Sequence, residues 1–133
     1  MQIAAARVSD VEQAVTCLVE AFADDPQMAC FFPVEKSLRP EAIRSFFSIL
    51  MEARLALNMP VLLAVEDGEI LGAIMGYDTN RPEWLPEHSR RFVDLETRNE
   101  GLVDRLRRAD DLMTFYQPAK PHYYLGVVGV AEA

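Results

Sequence analysis

Two apolar runs meet across Glu66-Asp67-Gly68-Glu69, and this arrangement constrains the fold more than any other stretch of the chain. Val61-Leu62-Leu63-Ala64-Val65 leads in, and Ile70-Leu71-Gly72-Ala73-Ile74-Met75-Gly76-Tyr77 leads out. Asp-Gly is a strong hairpin-turn signal, so the two runs are expected to pair as a hairpin. Neither run alternates between apolar and polar residues. That continuity predicts strands buried on both faces, under helices on both sides of a sheet. Gly72 and Gly76 are expected to mark a bulge or the close approach of another backbone.

The rest of the chain supplies partners for the hairpin. Residues 3–8 read as a first strand, suited to an edge because alanines are poor strand formers. Ser9 and Glu12 have capping-box spacing. The helix they open carries Val11, Ala14, Val15, Leu18, Val19 and Phe22 on one stripe, and Asp24-Asp25-Pro26 ends it. Residues 28–33 read as an apolar loop. Pro40 suits the first turn of a second helix, with Ile43, Phe46, Phe47, Leu50, Met51 and Leu57 on its stripe, Arg44 and Glu52 outside it, and Asn58 as a cap near its end. Residues 78–86 form a polar loop holding Trp84. Residues 87–116 are helical and split at Asn99-Glu100-Gly101. Gln117-Pro118-Ala119-Lys120-Pro121 then breaks the chain before residues 122–133, an aromatic and β-branched run that fits a buried strand beside the hairpin. The order is strand, helix, helix, strand, strand, helix or helices, strand. This predicts an α/β (α+β) fold with a mixed sheet flanked by helices.

A chain of 133 residues, half of them apolar, suits one domain spanning 1–133. The net charge of -8 argues against nucleic acid and against an anionic membrane surface as partners. Cys17 and Cys30 have no metal-ligand spacing around them and read as small buried hydrophobes in a reducing compartment. The N-terminus lacks a basic region and a long apolar core, so no signal peptide is expected and the location predicted is cytoplasmic. Arg105, Arg107 and Arg108, interspersed with Asp104, Asp110 and Asp111, read as a solvated helix face with intrahelical ion pairs. No metal site is expected, and His88 has no partner that spacing predicts.

Several local stretches, in order, resemble the GNAT superfamily of acetyltransferases. Ala6-Arg7-Val8-Ser9-Asp10-Val11 is similar to that family's entry from first strand to first helix. Glu20-Ala21-Phe22-Ala23-Asp24-Asp25-Pro26 resembles a stretch common in one branch. Glu66-Asp67-Gly68-Glu69-Ile70-Leu71-Gly72-Ala73 resembles the family's hairpin, and His122-Tyr123-Tyr124-Leu125-Gly126-Val127-Val128-Gly129-Val130 the strand preceding its cofactor loop. The resemblance covers the N-terminal two-thirds of a typical family domain. In the family a Q/R-x-x-G-x-G/A loop follows this strand at a helix N-terminus, where backbone N–H groups hold the CoA pyrophosphate. The chain ends at Ala133 before any such loop, so the resemblance implies a domain truncated at its C-terminus, with acetyl transfer impaired in this chain alone.

The resemblance implies acetyl transfer from acetyl-CoA to an unidentified amine of a small molecule or peptide. It implies that Val128, Gly129 and Val130 offer backbone hydrogen bonds to the cofactor. Asp24, Asp25, Phe31, Phe32, Tyr77 and Trp84 are the candidates to line the acceptor side, since carboxylates beside aromatics suit an ammonium group. His122 and Tyr124 are candidates to relay its proton. The alternative is a non-catalytic remnant or interaction module whose exposed C-terminal strand pairs with a partner or with a second copy as a homodimer. A small-molecule sensor using the space between the first helices and the hairpin is a third reading.

Overall fold

The computed structural model describes residues 1–132. Four strands form one sheet in the order β1-β2-β3-β4: β1 (Gln2–Ala5), β2 (Val61–Glu66), β3 (Glu69–Asp78) and β4 (Tyr123–Val130). All three pairings are antiparallel, so the sheet is not mixed. The reason is the even number of long helices between β1 and β2 and between β3 and β4, which returns the chain to the end of the sheet it left. The helices are α1 (Val11–Ala21), α2 (Pro26–Phe31), α3 (Arg39–Ala56), α4 (Pro86–Arg98) and α5 (Leu102–Tyr116). The α/β architecture with helix-flanked strands is the one the sequence predicts.

Local chemistry explains most of the boundaries. Asp67 and Gly68 both take positive φ, 51° and 80°, and close the β2–β3 hairpin as expected. The α3 helix ends in a Schellman arrangement around Asn58, which sits at φ 55°. Met59 N–H donates to the Arg54 carbonyl at 2.9 Å and Asn58 N–H to that of Leu55 at 3.0 Å. A break at residues 99–101 separates α4 from α5, with Gly101 left-handed. Three details differ from expectation. Residues 28–33 are not simply a loop, because Pro26 opens α2 and the Asp25 carboxylate caps it by accepting from Met28 N–H at 2.9 Å. The Ser9–Glu12 capping box is not made: a 3-10 turn over Val8–Asp10 comes first, and Arg7 N–H donates to Asp10 Oδ2 at 2.8 Å. Cys17 is buried but Cys30 is exposed, because α2 turns Met28 and Phe31 inward at i, i+3 and leaves Cys30 off that face.

The core lies between one face of the sheet and the pair α1–α3. Val61, Leu63, Ala73, Met75 and Val127 meet Val15, Leu18, Phe47 and Met51 there. Each fully buried Leu or Phe in such a core contributes about 1.5–3 kcal/mol relative to exposure. The expectation of strands buried on both faces is corrected by the opposite side. Ile3, Leu62, Ile74, Val128 and Val130 share that face by register and are all exposed. Among the described residues α4 packs on α3 and α5 on α2, and neither covers this face. β4 is likewise an edge strand and not a buried one, with only Val127 and Gly129 buried.

Two bulges adjust the sheet, and both fall beside the glycines that were expected to mark them. Val65 pairs with Ile70 although Ala64 pairs with Gly72, so Leu71 is extra on β3. Met75 pairs with Val127 but Gly76 with Leu125, so Gly126 is extra on β4. A side chain at Gly76 would run into the Tyr124 carbonyl.

Candidate functional site

The Gly126 bulge has a consequence for chemistry. Without it, strand alternation would place Leu125, not Tyr124, on the same face as Val127. With one residue added, Tyr124 joins Val127 and Tyr77 on the helix-covered side. The Tyr77 and Tyr124 rings lie 5.1 Å apart, centroid to centroid. They form part of the wall of an open cavity of about 600 Å³ lined by β3, β4, Phe22 at the end of α1, the segment before α4 and helices α2 to α5.

Aromatic side chains make most of the apolar wall. Trp84 meets Phe92 edge-on at 5.6 Å, and Phe92 lies 6.1 Å from Phe46, which in turn neighbours Phe31 at 6.2 Å. The charged residues are Arg54, Arg81, Arg107, Glu96 and Asp110, and Gln27 adds an amide. Arg54 is the unusual one. It is only 6% exposed, and its Nη1 is buried with no hydrogen-bond partner among the described residues. Its guanidinium lies 5.4 Å from the Tyr77 ring centroid, and that of Arg81 stacks on the same ring at 3.4 Å. Burial pulls the Arg54 pKa below the usual guanidinium range, with the neighbouring Arg81 charge acting the same way and the tyrosines opposing it. A guanidinium stays protonated under such a shift.

Tyr124 donates its hydroxyl to Met113 Sδ at 2.9 Å. Burial raises its pKa, and Tyr77 and Asp110 add to the rise, so the phenol is held protonated at neutral pH. His122 stands just before β4 and is not part of the cavity wall. Its Nδ1 lies 2.8 Å from the Lys120 carbonyl, which can only accept, so Nδ1 carries the proton in that bond. Its Nε2 is buried and has no hydrogen-bond partner among the described residues.

The structure brings Phe31, Tyr77, Trp84 and Tyr124 together on one wall and leaves the other acceptor-side candidates apart. Phe32 is fully buried behind Phe46, with ring centroids 5.9 Å apart. Asp24 pairs with Lys36 at 2.8 Å on the surface, an interaction that lowers its pKa, and Asp25 is engaged in capping α2. The carboxylates near the aromatics are instead Glu96 and Asp110. Arg105 also departs from the expected solvated face: it ties α5 to α2 by donating to the Phe31 carbonyl at 3.1 Å, while Arg107 pairs with Asp104 as expected. Arg54 was legible in principle, since it follows Leu50 by four and Met51 by three on an otherwise apolar stripe.

On β4, Gly129 is pressed against α1. A Cβ there would lie 2.6 Å from Leu18 Cδ2 and 3.1 Å from the Phe22 ring. Ala131 N–H donates to the Leu71 carbonyl at 2.8 Å. Backbone groups of an antiparallel ladder alternate in direction, so Gly129 faces β3 like Ala131, while Val128 and Val130 turn their N–H and C=O to the open edge. Among the described residues, no cluster of three His, Cys, Asp or Glu could hold a metal ion, and no helix is long and apolar enough to cross a membrane.

No protein-family model matches the chain, and no curated protein matches it. Solved structures do. A histone acetyltransferase HPA2 and related acetyltransferase from Corynebacterium glutamicum superposes with a TM-score of 0.67 at 24% identity, over 98% of this chain and 60% of that one. The C-terminal condensation domain of Ebony, in complex with beta-alanyl-dopamine, superposes with a TM-score of 0.56 at 17% identity, over 98% of this chain and 59% of that one. The chain therefore has a GNAT-like fold and spans about three-fifths of the length of these structures.

Proposed function

We propose that the chain carries the acceptor cleft and part of the donor site of a GNAT-type acetyltransferase, which moves an acetyl group from acetyl-CoA to an amine of a small molecule or peptide. The observation that carries this reading is the Gly126 bulge, which brings Tyr124 to the cavity wall where the open edge of β4 begins. The outward backbone groups of Val128 and Val130 fit the amide-bearing arm of a CoA thioester, which would lie along that edge. Gly129 serves indirectly, by letting α1 approach the strand. Acetyl-CoA, when bound, supplies an activated acyl carbonyl. The chain's own residues bind the acceptor between Phe31, Trp84 and Tyr77 and exclude water, and Tyr124 stands on the same wall to relay the amine's proton onward as the C–S bond breaks and the thiolate leaves.

Titration calorimetry with acetyl-CoA, followed by a thiol-release assay with a panel of amines, tests this reading. Binding heat and amine-dependent thiol release are expected. No heat at high protein concentration would sink it.

A second reading is favoured by the open sheet. The unpaired edge of β4 and the exposed Leu62, Ile74, Val128 and Val130 form a surface suited to a second copy of the chain. Sedimentation should then show a dimer that Val130→Lys dissolves, and a clean monomer at all concentrations would reject it.

A further inference from the structure

Buried charges in proteins are almost always paired, because an unpaired one loses its hydration without compensation. Arg54 breaks that rule. It is nearly inaccessible, no carboxylate lies within 4 Å of it among the described residues, and its Nη1 has no acceptor. Contact with the Tyr77 ring offsets part of the cost but leaves Nη1 without a hydrogen bond among the described residues. Arg54 lines the cavity close to the bulge: a side chain at Gly126 would come within 3.9 Å of Arg54 Nη2.

We propose that Arg54 is the anchor for a carboxylate carried by the acceptor, so that the substrate class is an amine bearing a carboxylate on an apolar or aromatic body. The proposal rests on reading the cavity as the acceptor cleft. A planar guanidinium fork matches a carboxylate bidentately, which an ammonium could not do. Of the arginines on the wall, Arg107 is already paired with Asp104, so Arg54 and Arg81 stand against Glu96 and Asp110, and a lone buried guanidinium without a partner among the described residues suits a monoanion better than a dianionic phosphate. The two carboxylates leave a place for the substrate's ammonium before it loses its proton. The aromatic wall of Phe31, Phe46, Trp84 and Phe92 takes the apolar body.

The test needs no acetyl-CoA, so its outcome is separate from whether the chain transfers acetyl groups. Thermal shift and calorimetry are run on the full chain with 3-phenylpropionate, with 3-phenylpropionamide and with inorganic phosphate. The carboxylate should bind at least tenfold more tightly than the amide and more tightly than phosphate. Arg54→Met should bring carboxylate binding down to the amide level, and Arg54→Lys, which keeps the charge but loses the fork, should fall between. Should Arg54→Met not fold, the wild-type carboxylate-to-amide ratio alone decides. Equal binding of the amide, tighter binding of phosphate, or undiminished carboxylate binding by a folded Arg54→Met would each overturn the assignment.

Discussion

Tyr124 of β4 lies beside Tyr77 of β3, centroids 5.1 Å apart, because Gly126 is an extra residue in the strand between Tyr124 and Val127. Burial first, and that neighbour second, raise the Tyr124 pKa above the ordinary tyrosine value. The fold thus favours the neutral phenol. Its contribution to stability is complete below the ordinary value of about 10 and is lost as pH rises through the raised one. Melting temperature measured from pH 8 upward should fall more steeply for the wild type than for Tyr124→Phe. Parallel curves would show that the phenol is not held this way.

Arg54 has the opposite relation to stability. An uncompensated buried cation is retained at a cost, so Arg54→Met, similar in length and apolar, should stabilise the fold by about 1–3 kcal/mol. Urea unfolding reads this directly. A loss of stability would mean that the Tyr77 contact outweighs the desolvation of the guanidinium.

Much of this architecture was legible in the sequence, for physical reasons that can be traced. Asp67-Gly68, Asn58 and Gly101 act through backbone conformation alone, and each does in the fold what its residue type permits. The uncovered sheet face was not legible. Strands 61–65 and 70–77 are apolar at every position, and such runs read the same whether one face or both are covered. The Gly126 bulge was hidden for a related reason: in a uniformly apolar strand, one inserted residue leaves no break in the pattern. Of the acceptor-side residues, the aromatics Phe31, Tyr77 and Trp84 gather at the cavity, whereas the charged groups there come from α3, the segment before α4, α4 and α5, far apart in sequence. Charge beside an aromatic along the chain therefore pointed to Asp24 and Asp25, which the fold uses for an ion pair and a helix cap.

Gly129 tests the packing of α1 on β4. An added methyl would meet Leu18, which is completely buried and has little room to move. Gly129→Ala should therefore destabilise the protein by about 1–3 kcal/mol through overpacking. Gly68→Ala makes a useful contrast, since nothing lies within 4 Å of its Cβ position and only the φ of 80° opposes it. Its cost should come from backbone strain alone and should be removed by Gly68→Asn, which tolerates that conformation. Equal stability of Gly129→Ala and the wild type would mean that α1 can slide on the sheet.

Val128 separates the donor reading from general damage to β4. By the alternation of the ladder its N–H points to the open edge, so replacing it with proline removes that donor without breaking a bond to β3. Gly129, facing inward, would lose a ladder bond under the same change. If the β4 edge holds the arm of acetyl-CoA, Val128→Pro should weaken acetyl-CoA binding about tenfold, the worth of one good hydrogen bond, while the melting temperature moves little. Calorimetry and thermal melts on the two proline variants distinguish the cases. Unchanged binding by a stable Val128→Pro would remove the strand edge from the donor site.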